Sequence, residues 1–208
     1  MLINHNFRFI SLMAAILMMS SVNSSLAQHK TGIQGNTYTN TDFNFRISLP
    51  VSLSHWRLQD NIPKLLFMMS TDDKTLANRG IIANLSVEAE KLSSRKVTLN
   101  NYLDISLLAL QVGIRNLNNL IIDLVELGGR PAYRLIYTGS ASDGTQVKFF
   151  QVIAVDEGKG YMLTGTSIPV TTPVSDFVSI QNTFLFLDAI TAVKPLRLLA
   201  NTWASLKK

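Results

Sequence analysis

The side chains able to do acid–base, nucleophilic or metal chemistry are few and scattered. The chain of 208 residues has no cysteine and three histidines. That excludes disulfides, thiolate metal sites, a cysteine nucleophile and the lipid-bearing cysteine of a bacterial lipoprotein. Two histidines, His5 and His29, lie near the N-terminus, which leaves His55. A Ser-His-Asp relay needs an imidazole held by packing beside its nucleophile, and no Gly-x-Ser-x-Gly elbow is present. His55 is therefore expected at the rim of the core. Glu88 and Glu90 stand two apart on a stretch that reads as a strand, so they point the same way. Paired carboxylates can do acid–base work on a sugar. Here the alternating pattern and the neighbouring Lys91 assign them to a solvated polar face. Asp72-Asp73 lacks the glycine and glutamate spacing of a calcium loop. Gly158-Lys159-Gly160 matches neither a P-loop nor a dinucleotide turn and reads as a hairpin turn. Asn84-Leu85-Ser86 fits a glycosylation sequon but falls inside a strand. No catalytic residue, cofactor or metal is assigned.

The elements that must position these residues follow from periodicity. Over residues 42–50, Phe43, Phe45, Ile47 and Leu49 alternate with polar side chains, and Pro50 closes the strand. Trp56 and Leu58 fall in a short irregular stretch, residues 65–69 form a strand covered on both faces, and residues 70–78 form a polar loop. Residues 81–90 alternate again. The period then changes. Thr98 caps a helix with apolar positions Leu99, Leu103, Leu107 and Leu110, ending near Gly113. Residues 120–127 form a strand, and Gly128-Gly129-Arg130-Pro131 turns the chain back. Two more turns, at residues 140–144 and 157–160, complete a four-stranded antiparallel meander. A second helix is expected over residues 174–184, with Phe177, Ile180 and Phe184 on one stripe. The order predicts an α+β fold: an antiparallel sheet of about six to seven strands covered by helices.

The two ends carry different information. Arg8 is followed by an apolar run over residues 9–19, a polar stretch, and Ser25-Leu26-Ala27, the small-x-small form of a signal-peptidase site. The run is too short for the roughly 20 residues a bilayer demands. Residues 1–27 are expected to be a cleaved signal peptide, residues 28–37 a flexible lead-in, residues 38–188 the domain and residues 189–208 a basic amphipathic helix. The net charge of +5 is not spread over the domain, because residues 28–189 hold 14 basic and 14 acidic side chains. A neutral body has no footprint for a phosphate backbone, which argues against nucleic acid as a partner. Arg8, in the expected signal peptide, carries one of the excess charges, and Lys194, Arg197, Lys207 and Lys208 carry the other four. Pro195 suits the first position of a helix whose stripe is Leu196, Leu199, Trp203 and Leu206. Such a helix can dock on a partner or weakly on a membrane surface, or it can pack on the domain's own sheet. Leu196, Arg197, Leu199, Trp203, Leu206, Lys207 and Lys208 are therefore the candidate docking residues.

The pattern resembles the PsbP-like fold family, which includes DcrB-type bacterial envelope proteins. Tyr38 with Asp42-Phe43-Asn44-Phe45-Arg46-Ile47-Ser48-Leu49-Pro50 is similar to the family's opening strand, and Trp56 follows at a fitting distance. Leu127-Gly128-Gly129-Arg130-Pro131-Ala132 is similar to its glycine, Pro-Ala hairpin. Phe177-Val178-Ser179-Ile180-Gln181-Asn182-Thr183-Phe184 is similar to its closing helix. The resemblance implies an α/β/α sandwich and a non-enzymatic role. The chain would be a periplasmic or secreted accessory protein acting through a protein partner. The body is rich in large apolar residues, which also suits a carrier of a small apolar ligand held near Trp56, Phe67 and Tyr161. A hydrolase using His55 is the weakest alternative. Intact-mass measurement of the exported protein should give a chain beginning at Gln28. A mass that retains residues 1–27 counts against export by this route.

Overall fold

Several strands are apolar on both faces, so the sheet they form must be covered on both sides. The computed structural model, which describes residues 31–59, 65–71, 82–141, 143–170 and 174–187, shows how. The strands are β1 (Thr31–Gln34), β2 (Thr37–Asn40), β3 (Phe45–Ser48), β4 (Trp56–Gln59), β5 (Phe67–Thr71) and β6 (Ile82–Lys91). Helix α1 (Leu99–Gly113) precedes β7 (Arg115–Leu127), β8 (Arg130–Ser140), β9 (Gln146–Asp156) and β10 (Lys159–Ile168). Helix α2 (Ser175–Gln181) and β11 (Leu185–Phe186) follow. The long strands form a seven-stranded antiparallel sheet in the order β4-β5-β6-β10-β9-β8-β7. A second sheet has the order β1-β2-β3-β11. This is the expected α+β class, with the meander β7 to β10 as predicted.

Strand alternation divides the core in two. Phe150, Val152 and Ala154 of β9 point with Leu163 and Tyr161 of β10 into the larger cluster. There they meet Tyr38, Phe45 and Ile47 of the small sheet and Phe177 and Ile180 of α2. Phe149, Ile153 and Met162 point the other way, into a cluster completed by Tyr102 and Leu110 of α1. The large sheet is thus the middle of three layers.

Local chemistry explains the ends of these elements. Thr98 Oγ1 accepts from the Asn101 amide while Asn101 Oδ1 accepts from the Thr98 amide, a reciprocal cap that starts α1. The β7–β8 turn is the pair Gly128 and Gly129, both left-handed at φ 58° and 81°, as a tight hairpin turn requires.

Some expectations are corrected. Residues 31–37, expected within a flexible lead-in, instead form β1 and the start of β2. The strand expected over residues 42–50 begins only at Phe45, because Asn44 turns left-handed (φ 60°) and Asn40 Oδ1 accepts from the Phe43 amide. That strand joins the small sheet, not the main one. Trp56 and Leu58 lie in a strand, β4. Arg130 and Pro131 begin β8 and are not part of the turn. The buried ridge of α1 is Tyr102, Ser106 and Leu110, with Leu99, Leu103 and Leu107 half-buried beside it. Gly160 makes the difference: a Cβ there would lie 2.8 Å from Tyr102 Cζ, so only glycine leaves the notch that the ring fills. Helix α2 is shorter than residues 174–184, although Phe177, Ile180 and Phe184 are all buried. Of the polar loop expected over residues 70–78, Ser70 and Thr71 belong to β5 and the rest lies outside the described residues.

The larger cluster has its own close fit. Phe177 lies edge-on to Trp56 at 5.8 Å and stacks on Phe150 at 5.4 Å. A Cβ on Gly165 would come within 2.8 Å of the Phe177 ring. Gly165→Ala should therefore overpack this layer and cost about 1–3 kcal/mol. Urea denaturation measures it, and an unchanged midpoint counts against the fit described.

Candidate functional site

The meander leaves its first strand, β7, at the end of the seven-stranded sheet. β7 is 13 residues long and carries Leu120, Ile121, Ile122 and Leu124. These are 38%, 54%, 40% and 70% exposed. Long apolar edge strands are normally blunted, because their free amides and carbonyls invite another strand.

The geometry of the edge follows from its turn. In a two-residue hairpin the flanking pair, here Leu127 and Arg130, exchanges both main-chain bonds. Alternation then sends the main-chain groups of Leu120, Ile122, Leu124 and Glu126 outward. The Gln181 side chain agrees with this, since its Nε2 donates to the Glu126 carbonyl at 3.0 Å and caps that end of the edge. Side chains alternate as well. Leu124 is opposite Tyr133 and Ile122 opposite Leu135, on the α1 side of the sheet. Val125 and Leu127 point to the other side, into the larger cluster.

The first half of β7 is different. The register with β8 shifts between Arg115 and Asn118 and again between Asn118 and Ile121. Asn116 and Asn119 are left-handed at φ 53° and 54°. Asparagine tolerates this conformation better than most residues. Asn116 Nδ2 donates to Ser140 Oγ, Asn119 Nδ2 donates to Thr138 Oγ1, and Thr138 Oγ1 donates to the Asn118 carbonyl. These bonds hold two kinks in place, and such kinks turn an edge away from pairing. The open part of the edge is residues 120–124, backed by the Arg134–Asp123 bond at 2.9 Å.

The expected positions fall elsewhere. His55 Nε2 lies 3.3 Å from Asp176 Oδ2, which also accepts from Trp56 Nε1 at 3.1 Å. Asp176 is in the first turn of α2, so it ties that helix to β4 at the rim of the core. The sequence reading did not single it out. Of the positions expected near an apolar ligand, Phe67 and Tyr161 are fully buried in the larger cluster, and Tyr161 donates to the Phe43 carbonyl at 2.8 Å. Trp56 alone of the three borders a cleft, of about 420 Å³, lined by Ile33, Leu49, Val51 and Leu58 and equally by the polar Asn36, Ser54 and Arg57. Leu196, Arg197, Leu199, Trp203, Leu206, Lys207 and Lys208 lie outside the described residues, as do residues 1–27 and Asp72-Asp73. Among the described residues no group of three His, Asp or Glu could hold a metal ion, and no helix is long and apolar enough to cross a membrane.

Glu90 is exposed, as expected of a solvated face, but Glu88 is half-buried. They are opposite Met162 and Gly160, on the side that α1 covers. Tyr102 donates to Glu90 Oε1 at 2.9 Å. Glu88 is half-buried, and this desolvation, helped by the Glu90 charge, raises its carboxyl above the ordinary glutamate value. Burial also raises the phenols of Tyr102 and Tyr137.

Comparison with solved structures places this arrangement. The chain is similar to LpqN of Mycobacterium tuberculosis, described as involved in cell envelope biogenesis, with a TM-score of 0.51 and 15% identity over 68% of this chain and 82% of that one. The likeness to LpqN is one of fold. Cyanobacterial PsbP (CyanoP) from Synechocystis also matches, at a TM-score of 0.48 and 18% identity, over 80% of this chain and 98% of that one. The fold expected from the sequence is met by the likeness to LpqN. No protein-family model and no curated protein matches the sequence.

The Glu88 environment gives a signed pH test. A carboxyl raised in the folded state contributes stability below its unfolded value, near 4.5, that is lost as pH rises through the folded value. Glu88→Gln should therefore be more stable than the parent at pH 7, with the gap narrowing toward pH 4. Thermal melts across that range measure it. A variant destabilised equally at every pH contradicts the assignment.

Proposed function

We propose that this protein is a non-enzymatic accessory protein of the cell envelope, exported to the periplasm or beyond, that acts by binding a protein partner. One observation carries the reading: among the described residues, the long edge strand β7 leaves its outward main-chain groups unpaired over residues 120–124, with Ile121 exposed beside them. Strand addition at such an edge takes its affinity from main-chain bonds and its specificity from alternate side chains. The partner would present an extended apolar segment.

The likeness of fold to LpqN, itself described as involved in cell envelope biogenesis, is consistent with an envelope role. So is the secretory pattern of residues 1–27. The neutral charge of the body fits a protein partner better than a nucleic acid. A carrier of a small apolar ligand is the second reading. It rests on the cleft beside Trp56, whose volume falls within the range of small-molecule sites.

The test is a photo-crosslinking residue at Ile121, 54% exposed on the face away from α1, in intact cells, compared with the same residue at Val51, which is 87% exposed elsewhere on the surface. A discrete protein adduct is expected from position 121 only. The second-site variant Ile122→Lys, which puts a charge on the edge, should abolish that adduct while circular dichroism shows the chain still folded. Adducts of equal pattern from both positions, or none from position 121, would count against the edge. A co-purifying small molecule in native mass spectra would then favour the carrier.

A further inference from the structure

The apolar shelf on the α1 side of β7 needs an occupant even if a partner strand pairs with the edge. Leu120, Ile122 and Leu124 share that side with Glu126, and all four are exposed. We propose that the occupant is the chain's own C-terminal segment. Residues 195–206 would lie as a helix along β7 beside α1, with Leu196, Leu199, Trp203 and Leu206 on Leu120, Ile122 and Leu124.

Four observations converge on this. The first is the exit point. The described chain ends at Leu187, directly after β11, and the Phe186 ring lies 3.0 Å from where a Gly128 Cβ would be. Gly128 is the residue after the last of β7, so the last described residues lie beside the end of this strand. The second is reach. Residues 188–194 can extend up to about 23 Å, enough to round the turn from the small-sheet side to the α1 side. The third is length. A helix over residues 195–206 is about 18 Å long, and β7 from Leu120 to Glu126 is about 20 Å. The fourth is charge. A helix entering from the Gly128 end brings Lys194 and Arg197 first to Glu126, the acidic residue on this side, and carries Lys207 and Lys208 off the far end. The stripe spacing of three, four and three residues gives one face to the sheet.

This inference does not rest on the partner reading, because the helix covers side chains on one face and leaves the outward main chain of β7 free. Ile121 remains exposed on the opposite face.

The absence of cysteine makes the test clean. In the purified, exported full chain, Leu124→Cys with Leu199→Cys should close an intramolecular disulfide on mild oxidation. It should do so about 10-fold faster or more than Val51→Cys with Leu199→Cys, because docking raises the effective concentration of one thiol at the other. Maleimide labelling of Leu124→Cys alone should be slow in the full chain. It should quicken by about 10-fold when Trp203→Glu is added, since undocking opens the shelf. Equal disulfide rates in the two pairs would overturn the proposal. So would Leu124→Cys alone linking two copies at low concentration, which assigns the shelf to a second copy, or labelling that Trp203→Glu leaves unchanged. No partner is present in these measurements, so their failure and the failure of the partner reading are separate results.

Discussion

A sheet with two apolar faces cannot be exposed on either, and this constraint organises the molecule. β9 and β10 send Val152 and Leu163 one way and Ile153 and Met162 the other. One helix covers the middle of the Ile153 side, because Gly160 lets Tyr102 sink into the sheet and the capped α1 lies along it. The Val152 side is wider. It takes a second sheet of short strands, together with α2, to fill it with aromatic rings. Phe45 stacks on Phe184 at 5.1 Å and the rings of Tyr38 and Phe67 lie tilted at 4.5 Å, so early and late described residues share one core. Burial on both faces stabilises the centre of the sheet and leaves its edges to be managed separately.

Much of this was legible in the sequence wherever one local rule governs. The meander turns needed left-handed residues, and glycine supplied all but one of those at Gly128, Gly129, Gly144, Gly158 and Glu157. The cap at Thr98 and the apolar alternation of β6 are likewise local. What the sequence concealed depends on which elements become neighbours. Alternation marks residues 43–49 as half-buried but does not say which sheet receives them. The leucines of α1 obey helical spacing, yet the notch at Gly160 rotates the buried ridge onto Tyr102. Glu88 and Glu90 lie on the polar side of an alternating strand, and only the position of α1 shows that this side is partly covered.

The candidate site was the least legible part. The run Leu120-Ile121-Ile122-Asp123-Leu124-Val125 has the composition of a central strand, and an edge strand of that kind breaks the usual rule. The one local sign was asparagine at positions 116, 118 and 119, ahead of the run. Asp176 was missed because its partners, His55 and Trp56, are more than a hundred residues away in sequence. Likeness of fold to LpqN narrows the architecture and leaves the chemistry to these local features.

The two edges of the seven-stranded sheet are unlike. β4 at one end has four residues, and β7 at the other has thirteen, of which the first half is kinked by Asn116 and Asn119. A strand added at either margin can therefore pair over only about four or five residues. That is a short footing for sheet-to-sheet growth, which depends on long, flat edges.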